Sequence, residues 1–137
     1  MNVLKECKYF LSLATWQHAI YGLKHAFKSF GYSCAGLWTA IHREESFRQE
    51  IIWGCIHLGA TWLLPLGLSI QLFMTMLWVI MMSMELMNSA IEAVVDKASP
   101  EWSELAKRAK DMASAAVFIN IFGIVVTWAI LLVMLFF

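Results

Sequence analysis

Two long stretches of the chain contain no charged side chain. Residues 51–84 and 112–137 lack Lys, Arg, Asp and Glu entirely. A helix needs roughly 20 apolar residues to cross a bilayer core of about 30 Å. The first stretch is too long for one crossing, and Pro65 and Gly67 interrupt it as a turn between two helices would. The pattern predicts three transmembrane helices, at about 47–64, 69–97 and 105–135.

The N-terminal part, residues 1–45, is predicted to form amphipathic surface helices. Two apolar stripes recur there at helical spacing. They are Val3, Leu4, Cys7, Phe10, Leu11 and Ala14, and then Ile20, Leu23, Phe27 and Phe30 opposite Lys24 and Lys28. Basic amphipathic helices of this kind lie on the cytoplasmic surface of a bilayer. The whole chain, 1–137, is therefore predicted to be one membrane domain.

Composition and charge placement support this interpretation and add an orientation. Of 137 residues, 61% are hydrophobic and 15% are charged, and the net charge of zero argues against a nucleic-acid-binding protein. Lys and Arg occur in the N-terminal segment and between the second and third crossings, but not in the first turn or at the C-terminus. The N-terminus and the second loop are therefore predicted to be cytoplasmic, with the C-terminus on the opposite side.

A polar stripe continues the second predicted crossing. At about 100° per residue, one helix face carries Glu85, Asn88, Ser89, Glu92 and Asp96. A charged side chain that faces lipid costs several kcal/mol, so this face must meet protein, water or a ligand. Counting about 20 residues from Ser69 places Glu85 just inside the cytoplasmic boundary and Glu92 at or beyond it.

Other charged groups are predicted at the same level of the membrane. Glu44 and Glu45 precede the first crossing, and Lys107, Arg108, Lys110 and Asp111 precede the third. Carboxylates could hold Mg²⁺ there, and basic groups could hold phosphate. On this evidence three interpretations stay open: polar contacts that only join helices, a proton or ion path, and a membrane enzyme. Neither a P-loop nor a Rossmann motif is present, and His57 is predicted to be a packing or hydrogen-bonding residue.

Two segments resemble a known family. They are "GYSCAGLWTAIHREESFRQE" (Gly31–Glu50) and "ELMNSAIEAVVDKASPEWSELAKRAKDMASAAVFI" (Glu85–Ile119). Both are similar to the prokaryotic diacylglycerol kinases, and the resemblance covers about residues 25–137. It implies a homotrimeric helical bundle in a bacterial inner membrane, with the C-terminus periplasmic and with active sites shared between protomers. The implied reaction moves the γ-phosphoryl group of ATP, bound with Mg²⁺, to the hydroxyl of diacylglycerol and makes phosphatidic acid.

The resemblance also implies roles for individual residues. Glu85 is the expected general base, with Asn88 supporting it, and Glu44 and Glu92 are the expected metal ligands at the ATP site. The other expected nucleotide contacts are His25, Tyr32, Glu101, Trp102, Ser103, Lys110 and Asp111. The expected lipid contacts, besides Glu85, are Ser46, Phe47, Arg48, Gln49, Glu50, Ser114 and Trp128.

The sequence departs from the family pattern at a few positions. His25 stands where close relatives have Arg, which weakens one expected phosphate contact or makes it pH-dependent. Residues 1–16 extend beyond the usual start and predict a longer surface helix. Undecaprenol kinases share the fold, but they more often have Thr where Ser89 stands, so the sequence favours diacylglycerol. The alternatives are undecaprenol kinase and a non-enzymatic helix bundle or transport protein.

Overall fold

The protein folds into four α-helices and no β-strand over the residues that the structure describes. The structure is a computed structural model that describes the backbone of residues 3–136 and the side chains of residues 16, 18 and 20–136. The helices are α1 (Val3–Arg43), α2 (Glu45–Leu63), α3 (Leu68–Ala98) and α4 (Glu104–Phe136). The predicted all-α fold is confirmed for this part of the chain. The last three helices begin and end within about two residues of the predicted crossings.

The chain divides into two compact units, Met1–Thr39 and Ala40–Phe137. The first unit consists mostly of α1, which is a single helix. From Ile20 to Phe30 its side chains are exposed, the basic ones and the apolar ones alike. The predicted stripe from Val3 to Ala14 lies outside the residues whose side chains are described, so amphipathic packing there stays a prediction.

The predicted turn between the first two crossings is present in the second unit. Helix α2 ends at Leu63, and its C-cap residue Leu64 is extended, as expected for a residue that precedes proline. Helix α3 begins after Gly67. The connection is therefore short enough to make α2 and α3 antiparallel neighbours, and α3 packs against both α2 and α4.

Two described helices, α3 and α4, are long and apolar enough to cross a membrane. They correspond to the second and third predicted crossings. Helix α2 has 19 residues, and these include Glu45, Arg48 and Glu50. Its composition is less apolar than that of α3 and α4. The first predicted crossing, at about 47–64, therefore remains a prediction.

Much of the apolar surface of α3 and α4 is exposed. Only 22% and 11% of their most apolar windows are buried within the chain. A contiguous exposed apolar surface of this size marks contact with lipid or with other protein. Together with the composition, it makes the chain a helical membrane protein.

The small core of the second unit lies along one face of α3. Met74 and Met81 are fully buried, two turns apart, and Glu85 follows one turn later with only 4% of its surface exposed. Phe47 from α2 and Ile124 from α4 are buried as well. The same buried face of α3 therefore carries two methionines and then, one turn further along, a carboxyl group.

His57 joins the three helices of this unit. Its ring lies within hydrogen-bond distance of two groups: the Trp128 indole N–H on α4, 3.1 Å from Nδ1, and the Met74 carbonyl on α3, 3.1 Å from Nε2. The indole can only donate and the carbonyl can only accept. His57 is therefore neutral with its proton on Nε2, and the prediction that it is a hydrogen-bonding residue is confirmed.

Gly54 allows α2 to approach the Trp78 indole on α3. A Cβ atom at this position would overlap the indole ring, whereas a Cβ atom at Gly59 on the same helix would meet nothing. Gly54→Ala should therefore lower the stability of the folded protein by about 1–3 kcal/mol, the usual effect of overfilling a packed site. The measurement is the thermal unfolding midpoint in detergent.

The matched control for this prediction is Gly59→Ala, which makes the same chemical change on the same helix. It should not lower the midpoint, because alanine favours helix over glycine. Equal midpoints for the two variants would show that Trp78 does not pack on Gly54.

Candidate active site

Two carboxyl groups meet near the end of the core. Glu85 of α3 is buried, and Glu50 of α2 is near enough to it for their charges to repel each other. A buried carboxylate in this position can accept a proton from a group that approaches it, which is what a general base does.

Asn88 and Glu92 form the next part of the polar stripe on α3. The Asn88 side-chain N–H group donates to Glu92 Oε1 over 3.0 Å, one helical turn away. The Asn88 Oδ1 atom is buried and accepts no hydrogen bond from any residue that the structure describes. A buried oxygen without a donor is costly, so this atom is available to a cation or a hydrogen-bond donor from outside the chain.

At the end of the stripe, α3 and α4 are joined by an ion pair. The Lys110 ammonium lies 2.7 Å from Asp96 Oδ1. Lys107 and Asp111 form a second pair at 3.4 Å, and both of its members are largely exposed. Exposed pairs add little stability. What they do provide is charged groups of both signs on one surface.

These pairs border a cleft of about 310 Å³ at the α3–α4 connection. The cleft lining includes Glu101, Trp102 and Ser103 together with Lys110 and Asp111, so it contains five of the predicted nucleotide contacts. The Trp102 side chain is 81% exposed. An exposed indole beside an ammonium group offers a stacking surface and a phosphate contact in one cleft.

Glu44, the other predicted metal ligand, is the N-cap residue of α2 and makes no side-chain capping hydrogen bond. Among the described residues, no group of three or more His, Cys, Asp or Glu side chains could hold a metal ion. The described residues of one chain therefore do not bring three such ligands together.

The predicted lipid contacts are in different environments. Phe47 belongs to the buried core, whereas Ser46, Gln49 and Ser114 are exposed. The Arg48 guanidinium donates to the Ile41 carbonyl over 3.4 Å. Glu50 and Trp128 both line a second cavity, which is separate from the α3–α4 cleft and is formed by residues of α2, α3 and α4.

The two remaining predicted nucleotide contacts lie on α1, in the first unit. His25 and Tyr32 are both exposed, and the Lys28 ammonium lies 5.9 Å from the centre of the Tyr32 ring. This cation–π contact positions the Tyr32 ring along α1.

Sequence reasoning missed the aromatic cluster around His57. Trp78 stacks on His57 with ring centres 5.0 Å apart, and Trp128 meets the same ring edge-on at 5.8 Å. A histidine inside an otherwise uncharged apolar run was the available signal. Trp128 is 71 residues away in sequence and Trp78 lies on the next helix, so spacing alone does not identify them.

These features define a class of protein. It is an α-helical membrane protein that gathers carboxylates, an amide and lysines where two long apolar helices meet. Comparison with known proteins then gives the family. The model of the prokaryotic diacylglycerol kinase family matches residues 31–132, and the chain belongs to that family.

Individual relatives agree with the family match. The diacylglycerol kinases of Pseudomonas aeruginosa and of Escherichia coli K12 are each 40% identical to this chain over 111 residues. The alignments cover 81% of this chain, with 90% of the first relative and 91% of the second. The diacylglycerol kinase of Helicobacter pylori is 38% identical over 119 residues, which cover 78% of this chain and 84% of the relative. The predicted family membership is confirmed.

Proposed function

We propose that this protein is an ATP-dependent diacylglycerol kinase that makes phosphatidic acid at the cytoplasmic face of a bacterial inner membrane. The observation that carries the proposal is the buried Glu85 carboxyl group beside Glu50, at the membrane end of the polar stripe, in a chain of this family. A lipid hydroxyl and a soluble nucleotide can meet only at such a boundary.

Glu85 acts as the general base. Its carboxylate accepts the proton of the lipid hydroxyl as the hydroxyl oxygen forms a bond to the γ-phosphorus atom. The bond from that phosphorus to the bridging oxygen breaks, and ADP leaves. Phosphoryl transfer asks a protein mainly for positioning and for neutralisation of charge. Asn88 supports the position of Glu92 through its 3.0 Å hydrogen bond.

The cleft between α3 and α4 receives the nucleotide. Lys110 balances phosphate charge there, and Trp102 offers a flat surface for the base. Glu101, Ser103 and Asp111 supply polar contacts around them. His25 and Tyr32, which lie on α1 in the first unit, are proposed nucleotide contacts as well.

The residues present fit a magnesium ion. Mg²⁺ prefers oxygen ligands and usually binds through one or two carboxylates plus substrate phosphates. Glu44 and Glu92 would hold it, and the unpaired Asn88 Oδ1 atom adds an oxygen beside Glu92. When bound, the ion supplies charge neutralisation on the transferred phosphoryl group.

We propose a homotrimer with three crossings per chain. Exposed apolar surface on α3 and α4 supports association in the membrane. The lack of a complete cage of metal ligands among the described residues of one chain supports sites that neighbouring chains share. The second loop, with Lys97, Lys107 and Arg108 near it, is cytoplasmic together with the N-terminus, and the C-terminus is periplasmic.

The reaction is tested with radiolabelled ATP and Mg²⁺ in mixed micelles that contain diacylglycerol and undecaprenol at equal mole fraction. Labelled phosphatidic acid is the expected main product. Labelled undecaprenyl phosphate as the main product would contradict the proposed acceptor and keep the phosphoryl transfer. No labelled lipid, from protein that is folded and trimeric, would overturn the proposed function.

A further inference from the structure

Asp96 lines the α3–α4 cleft but has no role in the reaction described so far. Its carboxylate lies 2.7 Å from the Lys110 ammonium, the group that is proposed to balance phosphate charge. The Asp96 side chain is 66% exposed and that of Lys110 is 36% exposed, so a phosphate group can reach the pair from solvent. The proposed phosphate-binding lysine therefore already has an anionic partner within the chain.

Stability does not account for a carboxylate at this position. Asp96 lies in the last turn of α3, which ends at Ala98. The C-terminal end of a helix carries partial negative charge and favours a cation, such as the neighbouring Lys97, over a carboxylate. An exposed ion pair adds little stability in return. A residue that opposes its local environment without such a gain is typical of a functional position.

The charges that line the cleft leave a net negative charge. Three carboxylates and two ammonium groups line it: Asp96, Glu101 and Asp111 with Lys107 and Lys110. Both lysines are paired, Lys110 with Asp96 at 2.7 Å and Lys107 with Asp111 at 3.4 Å. The cleft therefore offers an incoming anion no surplus of positive charge. A polyphosphate that enters it must compete with these carboxylates for the lysines.

Glu92 connects this ion pair to the proposed metal site. It lies one turn before Asp96 on α3, and its charge and that of Lys110 attract each other. Two carboxylates of α3 therefore act on the same ammonium group. Metal-free ATP carries roughly twice the negative charge of its magnesium complex. Each carboxylate that faces the cleft consequently repels metal-free ATP more strongly.

We propose that Asp96 is a specificity-determining residue that makes the cleft select ATP bound with Mg²⁺ over metal-free ATP. Its carboxylate occupies Lys110 and repels phosphate charge, so the nucleotide with the smaller charge displaces it more easily. The inference rests on the proposed function and deepens it, because it assigns to Asp96 the choice between two forms of one nucleotide. Asp96 acts through Lys110 and through its own charge, not on the reacting atoms.

Removal of the Asp96 charge should weaken this selection. The measured quantity is the ratio of two Kd values for a radiolabelled non-hydrolysable ATP analogue, one in excess EDTA and one in excess Mg²⁺. Both come from equilibrium dialysis with the full-length protein in detergent micelles. Asp96→Asn should lower the ratio about threefold to tenfold, mainly because the analogue binds more tightly in EDTA. Asp96→Glu keeps the charge and should keep the ratio.

The matched control is Glu104→Gln, which makes the same change in net charge. Glu104 is exposed in the first turn of α4 but does not line the cleft, so its ratio should equal that of the unaltered protein. Added KCl should reduce the difference between Asp96→Asn and the unaltered protein, because salt screens exposed charges. A purely structural effect would not respond to salt in this way. An equal fall of the ratio in Glu104→Gln would overturn the inference.

The binding measurement separates this inference from the proposed function, because it needs no turnover. A lower ratio in Asp96→Asn supports the inference even if no phosphatidic acid is formed. An unchanged ratio in a protein that phosphorylates diacylglycerol overturns the inference alone. An unaltered protein that binds the analogue in neither condition overturns the inference and the proposed function together.

Discussion

Glu85→Gln should lower kcat by about 10²–10⁴-fold, the usual contribution of a general base. Glutamine keeps the shape and hydrogen-bonding capacity of the side chain but cannot take up the proton of the lipid hydroxyl. The carboxyl group is buried, with 4% of its surface exposed, so water does not readily substitute for it. The measurement is the initial rate of phosphatidic acid formation with saturating ATP and diacylglycerol, with KM for ATP measured in parallel.

The control for this variant is Glu104→Gln, which removes an exposed carboxylate from the first turn of α4. Its kcat should stay within about twofold of the unaltered enzyme, because an exposed group outside the cleft has little influence on the reaction. Glu85→Gln should keep its thermal unfolding midpoint and its KM for ATP. A Glu85→Gln protein with full turnover would exclude Glu85 as the base.

The helical fold could be predicted from the sequence because a membrane imposes a simple rule. Apolar runs of the required length must be helical, since backbone groups in lipid have no other partners. Pro65 and Gly67 then gave the turn, and the observed α3 and α4 match the predicted segments within about two residues. The same rule predicts a crossing by α2 less strongly, because Glu45, Arg48 and Glu50 make that helix less apolar.

The polar stripe was predictable for a similar reason. Helical periodicity alone places Glu85, Asn88 and Glu92 on one face, and the structure connects the last two by a hydrogen bond. The partner of Glu85 was not predictable from periodicity. Glu50 lies on another helix, and only the packing of α2 on α3 brings the two carboxyl groups together.

The aromatic cluster shows the limit of this reasoning more clearly. Trp78 lies beside Gly54 because glycine leaves room for the indole, and Trp128 reaches His57 from 71 residues away in sequence. Hydropathy treats Trp78 and Trp128 as further members of apolar runs. Only side-chain packing between three helices distinguishes ring contacts with His57 from general burial.

The second large effect concerns the metal. Glu92→Ala should raise the Mg²⁺ concentration for half-maximal activity by at least about 10–100-fold, the range seen when even a supporting residue of a metal site is lost. The substitution removes a proposed metal ligand. It also removes the acceptor of the Asn88 side-chain N–H group, which leaves neither polar atom of that side chain with a hydrogen-bond partner among the described residues. The measurement is a Mg²⁺ titration of phosphatidic acid formation at constant ATP.

A second readout distinguishes a metal ligand from a structural residue. Mg²⁺ with a non-hydrolysable ATP analogue should raise the unfolding midpoint of the unaltered protein, because a ligand that binds only the folded state stabilises it. This shift should be lost in Glu92→Ala and kept in Glu45→Ala, which removes an exposed carboxylate next to Glu44. If Glu92→Ala kept both the shift and the Mg²⁺ dependence, the metal would be held elsewhere.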